Sequence, residues 1–526
     1  MKPSSTAWLT GGLTYVIAQA VYVRTLAPGL LLGDSAEFQT LVYTLGMTHP
    51  TGYPVYLLLA RLFAFLPVGS PAWRVSLFSA FAGALAAGLL AYLSVKAGAH
   101  PLAAFAAGIA AALAPLFWWQ AVIAELYTLS ALLILVVIAL LAAWVQTRRP
   151  VFLFLAGLTG GLSIGIHNTV ILLFPAVLVT LLTYSRSRKD WLASGLGAVC
   201  GALFTLAAFY VIDRHNPPSS YYFTTFYHGI SAWGIHPEQT QSFIERMKFL
   251  ISAPQFRGLM FTDPAVQMPL TWAKYWEELQ ANLAPGVLVL AGLGLLTGLI
   301  RRQTRPLALL AGLGWLGLVV FILNYEIGDI NVFYVPTYAL VCLSAGLGAA
   351  GLAAGLGWLA RRLCLPVWSR LALNFALGVG LAALMLAPQA ARSLSAWQAG
   401  KVNFLARYGY DQNYPYPVND PTGPYERATQ LVDNLPPDAI IFVGWDEVFA
   451  DLYVAHVERG LTGMSFREIW VQDWDHVEDS TLAYIDANLG TRPIYLAFQP
   501  NQQINARYQT SRVFLLPGVY EVVRRK

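Results

Sequence analysis

The segment Gly33–Pro67, GDSAEFQTLVYTLGMTHPTGYPVYLLLARLFAFLP, sets Asp34, Glu37 and His49 between two apolar runs, Trp8–Ala27 and Ala72–Val95. Each run is close to the roughly 20 residues needed to cross a bilayer core. A polar stretch held between two such runs belongs at a membrane surface, so the fold expected is a polytopic α-helical membrane protein. The composition agrees. Of 526 residues 57% are hydrophobic and only 12% charged, and the mean hydropathy of +0.54 is beyond what a soluble core could absorb.

Working outward from that segment, about eleven stretches are long and apolar enough to be membrane helices. They are Trp8–Ala27, Ala72–Val95, Pro101–Phe117, Ala121–Val145, Val151–Ile166, Thr169–Tyr184, Trp191–Ile212, Pro285–Ile300, Pro306–Leu323, Val332–Leu359 and Leu371–Ala387. The first has only Lys2 before it and no small-residue cleavage site after it, which predicts a retained signal anchor. Alternating these stretches across the bilayer sends Lys96, Arg148 and Arg149, Arg186 to Lys189, Arg301 to Arg305, and Arg361 and Arg362 to one side. Basic clusters mark the cytoplasmic side. The N-terminus is therefore expected in the cytoplasm, and the polar loops 28–71 and 213–284, the turn at Trp118–Gln120 and the break at His167 and Asn168 outside.

The net charge of +5 is used up in these topology-setting clusters, so nucleic acid is not an expected partner. Cys200, Cys342 and Cys364 are scattered through or beside apolar stretches and make neither a disulfide framework nor a CxxC metal site. The tail, 389–526, mixes charged and apolar residues in runs too short to span. Strands are expected at Ala439–Gly444, Phe466–Val471, Pro493–Phe498 and Arg512–Val523, with helices at Glu447–Arg459 and Ser480–Leu489, which together make a small α/β domain. The chain thus divides into a transmembrane part, 1–388, and an extracytoplasmic α/β domain, 389–526.

Ionisable residues near the outer surface are the candidate machinery. Asp34 and Glu37 have the spacing of a helix capping box, and the same spacing also puts two carboxylates on neighbouring turns of one helix face. A carboxylate at such an interface can serve as general base toward a hydroxyl. His49 lies in a loop bounded by Pro50 and Pro54, where it is either a plain loop histidine or a ligand for phosphate. Arg74, Glu125, His167, Glu326 and Asp329 occur at the outer ends of apolar runs, a depth at which ionisable groups mark function or pair with one another. Arg74 could also snorkel to the surface.

Four stretches, in order, resemble a known family. Gly33–Pro67 followed by AWRVSLFSAFAGALAA (72–87) is similar to the N-terminal signature of the transmembrane protein O-mannosyltransferases and their bacterial relatives. FWWQAVIAELYTL (117–129) resembles that family's segment with a glutamate before a tyrosine. GLSIGIHNTVILLFPA (161–176) resembles its glycine-rich helix ending in histidine, and LPPDAIIFVGWDEVFADLYVAHVERG (435–460) the start of its soluble tail.

The resemblance implies a GT-C type glycosyltransferase that moves a sugar, mannose first, from a polyprenyl phosphate to a hydroxyl acceptor at the extracytoplasmic face. It makes Asp34 the expected base with Glu37 its partner. His49, Arg74 and His167 become candidates for the donor phosphate, and Glu125 for positioning sugar or acceptor. No metal is required by that scheme; Mg²⁺ or Mn²⁺ held by Asp34 and Glu37 against the phosphate is the alternative. A transporter or lipid flippase would use the same ionisable groups. It would, however, need access from both faces, whereas the polar residues crowd one. A noncatalytic scaffold would leave Glu125 unexplained.

Overall fold

A computed structural model describes residues 5–230, 232–399, 422–469, 471–473 and 476–526. The first part of the tail beyond residue 399, and Trp470 in the strand expected at Phe466–Val471, lie outside the described residues. The chain folds as two compact units. One takes 1–26, 77–205 and 259–419; the other takes 27–76, 206–258 and 420–526. Residues 420–526 of the tail therefore share a unit with the first polar loop.

The first unit is a helix bundle. Among the described residues six helices are long and apolar enough to cross a membrane: α4 (Pro71–Ala97), which begins in the second unit, Tyr127–Thr147, Arg188–His215, which ends in the second unit, Arg305–Ile322, Ile330–Arg362 and Val367–Ser395. Two bent pairs raise the number to eight. Pro101–Ala112 turns by 65° into Pro115–Val122, and Pro264–Asn282 by 112° into Pro285–Ile300. The remaining expected stretches are helical but fall short of that measure: α1 (Ser5–Thr25), Pro150–Ser163 and Asn168–Tyr184.

Proline sets much of this segmentation. Pro101, Pro115, Pro150 and Pro285 each stand in the first turn of their helix, where the missing N–H costs no hydrogen bond and the fixed φ suits a start. Pro115 explains one departure from expectation. Trp118–Gln120, expected as an outer turn, lies inside a short helix that starts anew at Pro115, and the Trp118 indole donates to Thr25 Oγ1 at 2.8 Å.

Small residues bring the bundle's helices close. A Cβ on Gly294 would lie 1.8 Å from the Ser344 carbonyl oxygen, and one on Gly348 2.1 Å from that of Leu290. Pro285–Ile300 and Val335–Arg362 thus meet backbone to backbone, the contact that replaces hydrophobic burial as the glue between helices in lipid.

The second unit begins with α2 (Gly33–Thr44) and α3 (Pro54–Ala64). Its tail carries β1 (Ile440–Val443), β2 (Ser465–Glu468), β3 (Val471–Asp473), β4 (His476–Val477), β5 (Ile494–Leu496), β6 (Tyr508–Arg512) and β7 (Tyr520–Arg525). Five of them form a sheet in the order β2-β1-β5-β7-β6, with β1 parallel to both β2 and β5 and the last two pairings antiparallel. Ile440, Phe442, Leu482, Ile485 and Leu496 are in its core. The single strand expected at Arg512–Val523 is instead a hairpin, β6 and β7, because Pro517-Gly518 turns the chain between them.

The helix Trp445–Leu452, which follows β1, packs on α2. Thr40 Oγ1 donates to the Phe449 carbonyl at 2.7 Å, and the Ala72 amide donates to Tyr453 Oη at 3.0 Å.

Candidate active site

Asp34 stands in the first turn of α2 and Glu37 in the next. The capping-box role is not realised: the residue before the helix is Leu32, with no side-chain cap, and the Glu37 carboxylate turns away to His49. The His49 amide donates to Glu37 Oε1 at 2.7 Å, and its ring Nδ1 bonds Oε2. Glu37 is fully buried, and Asp34 keeps 37% of its side chain exposed.

His49 Nε2 faces Asp34 Oδ2 at 3.9 Å and the Tyr53 hydroxyl at 3.2 Å. One imidazole therefore stands between a buried carboxylate and a part-exposed one. The ring is held by its own loop: the Gly52 amide donates to the His49 carbonyl at 2.7 Å, and Tyr53 Oη donates to Pro50 O at 3.0 Å. Gly52 has φ +89°, and a Cβ there would come within 2.5 Å of the Phe209 ring, so the turn that presents His49 requires glycine on both counts. Gln39 fastens the approach to the helix by accepting from the Leu31 amide at 2.9 Å and donating to Gly29 O at 3.1 Å.

Burial raises the Glu37 carboxyl above its usual range, and the His49 ring works against that rise. The pair lies at the buried side of the site, with Asp34 on its more exposed side.

The other candidates meet mostly backbone. Arg74 donates from Nε to Val68 O at 2.8 Å, from Nη1 to Ala64 O at 3.0 Å and from Nη2 to Gly69 O at 3.1 Å, closing the loop between α3 and α4. In the first unit, Glu125 sits in the break before Tyr127–Thr147, its amide and carbonyl both bonded to Ser79 Oγ at 3.0 and 2.6 Å. His167 caps the turn Asn168–Leu173, where its Nδ1 meets the Thr169 amide and hydroxyl. Glu326 accepts from Thr262 Oγ1 at 2.8 Å. Within its unit, then, the structure gathers Asp34, Glu37 and His49; Arg74 belongs to the same unit but is spent on carbonyls, and Glu125 and His167 belong to the bundle.

Residues from the tail join the gathered trio, and no local pattern pointed to them. The Trp445 ring lies edge-to-face on His49 at 5.8 Å and on Tyr221 at 6.4 Å. Asp446 Oδ1 would be 3.6 Å from a Cβ placed on Gly33. Glu468, at the end of β2, is pushed up to about 7 by burial, with Asp446 and Glu37 adding to the rise. The available signal was their place, just after parallel strands, where α/β sheets bind ligands. Among the described residues no group of three or more His, Cys, Asp or Glu side chains is arranged to hold a metal ion.

Residues 34–191 match the family described as the Protein O-mannosyl-transferase TMEM260 N-terminal domain. The Protein O-mannosyl-transferase TMEM260 of Mus musculus is 33% identical over 193 residues, 35% of this chain and 28% of that protein. Its counterpart in Dictyostelium discoideum is 24% identical over 156 residues, 29% of this chain and 18% of that one. The match thus spans less than a third of either relative.

Over nearly the whole chain the fold resembles the crystal structure of ArnT from Cupriavidus metallidurans bound to undecaprenyl phosphate, with a TM-score of 0.53, 17% identity and 98% of each chain covered. The apo ArnT structure gives a TM-score of 0.51 at 17% identity, covering 99% of each. The chain is accordingly a multi-pass membrane protein of GT-C fold whose residues 34–191 are similar to the protein O-mannosyl-transferase TMEM260 N-terminal domain.

Proposed function

We propose that this protein is a membrane glycosyltransferase that moves a hexose, mannose first, from a polyprenyl-phosphate donor to a hydroxyl acceptor at the extracytoplasmic face. The observation that carries the proposal is the half-exposed Asp34 beside a buried Glu37–His49 pair. In this scheme the acceptor oxygen attacks the anomeric carbon, its proton passes to Asp34, and the bond from that carbon to the phosphate oxygen breaks to release polyprenyl phosphate. Glu37 orients the His49 ring, and His49, protonated, offers positive charge toward the developing phosphate.

His167 and Glu125 enter as donor-phosphate and sugar ligands through the resemblance; Arg74, the third candidate for the phosphate, has three donors on carbonyls and in this scheme holds the loop between α3 and α4. The scheme needs no metal. The Mg²⁺ or Mn²⁺ alternative is disfavoured because both Glu37 oxygens are engaged by His49. The undecaprenyl phosphate bound to ArnT supports a lipid-linked donor. Residues 1–388 would form the catalytic membrane part and 389–526 an extracytoplasmic domain, with the N-terminus in the cytoplasm.

The test is consumption of labelled polyprenyl-phosphate mannose, then glucose, by the purified protein in lipid. Asp34→Asn should lower turnover by about 10²–10⁴-fold, the usual worth of a general base, with the melting temperature kept. Full activity in that variant would remove Asp34 from the role of base.

A further inference from the structure

The tail turn Gly444–Glu447 is an unexpected neighbour of the Asp34 site. It leaves the C-terminal end of β1, and Glu468 ends the adjacent parallel strand β2, paired with Val443. That edge of a parallel sheet is where open α/β folds receive ligands. The helix that this turn opens packs on α2, and Glu468 lies near enough to Asp446 and Glu37 to feel their charges.

Three properties of the turn are those of a carbohydrate surface. The Trp445 ring is part-exposed and fixed edge-on by His49, Tyr221 and Phe449, so its orientation is set before any ligand arrives. A rigid aromatic ring can pack on the C–H face of a pyranose while its neighbours stay polar. Asp446 is exposed beside Gly33, within the reach of hydroxyls on a sugar that lies against that ring. Behind them, Glu468 Oε2 is buried with no hydrogen-bond partner among the described residues. A buried oxygen without a partner carries a cost that a ligand donor would relieve.

We infer that the tail turn supplies the sugar-binding wall of the site, with Trp445 as the platform and Asp446 and Glu468 as acceptors for hydroxyls of the donor hexose. The inference rests on the glycosyltransferase reading and deepens it. It gives the tail a part in reading the sugar, distinct from Asp34, which acts on the acceptor's proton.

The experiment uses the full chain in lipid vesicles and measures binding of polyprenyl-phosphate mannose, of bare polyprenyl phosphate, and of methyl α-mannoside. The proteins are the wild type, Trp445→Ala, Trp445→Phe, Asp446→Ala and Asp446→Asn. The wild type should prefer the mannosyl lipid to the bare lipid by about tenfold or more, a single well-made contact's worth. Both alanine variants should lose that preference while keeping their affinity for bare lipid, and Trp445→Phe should restore most of it.

Retention of the preference in Trp445→Ala and Asp446→Ala overturns the inference. So does an equal loss for both lipids that persists in the Phe and Asn variants, since a structural role would produce it. Equal binding of both lipids by the wild type overturns it as well. If the wild type binds neither lipid, the polyprenyl-phosphate reading falls instead. The methyl mannoside arm then decides: Trp445-dependent saturation keeps the sugar wall, and none removes it.

Discussion

Charged residues serve two different ends in the two units. In the segment Gly33–Tyr53 a carboxylate, an imidazole and a second carboxylate meet one another. In the bundle, Glu125 and His167 stand at helix breaks, where hydroxyls and ring nitrogens take up amides and carbonyls that the interrupted helices leave over. The lesson is that an ionisable residue at a membrane protein's polar face does not announce chemistry by itself. What separates the two cases is the kind of partner: in the loop, carboxylates face an imidazole, all groups that can change protonation state, whereas the bonds described at Glu125 and His167 run to hydroxyls and backbone, which do not.

The sharpest way to break this contrast is Glu37→Gln, which keeps shape and removes the charge that His49 answers. Turnover should fall on the order of 10²-fold, the low end of acid–base contributions, while the melting temperature holds. Retained turnover would place Glu37 with the backbone-binding group. Arg74→Ala should do the opposite. Losing its bonds to Ala64, Val68 and Gly69 should cost about 1–3 kcal/mol in denaturant unfolding, with turnover of the folded fraction retained. A lost turnover at unchanged stability would move Arg74 to the phosphate.

The smallest effect is expected at Glu468. Its folded carboxyl titrates at about 7 against an ordinary 4.5, so the folded state holds its proton more tightly than the unfolded chain. Its contribution to stability is therefore greatest below pH 4.5 and is lost as pH rises toward 7. Glu468→Gln should melt like the wild type near pH 4.5 and above it at pH 8; parallel melting curves across that range would show that the carboxylate is not strained by burial.

Most of the bundle was legible because long apolar runs and flanking basic clusters are local signals. Even there, α1 spans 21 residues yet is not one of the six described helices that are long and apolar enough to cross a membrane, and the bend at Pro115 turned an expected outer turn into helix. The trio Asp34, Glu37 and His49 could be anticipated because it comes from one short loop. The capping geometry could not, since only the folded loop decides that Glu37 finds the His49 amide before its own helix start. Trp445, Asp446 and Glu468 had no local sign of belonging with that loop. Their side chains reach it through packing between segments hundreds of residues apart, which no periodicity encodes.

The bond from Thr40 to the Phe449 carbonyl joins residues separated by 409 positions. During synthesis the loop bearing Asp34 emerges early and the helix that covers it emerges late, so the loop waits without its partner while the bundle is being inserted. Contacts of such long separation form slowly, because the chain between them must be ordered first. An unfinished chain would therefore hold the acids and the histidine but not Trp445 and Asp446 beside them, and the cluster is complete only once the tail has folded back onto that loop.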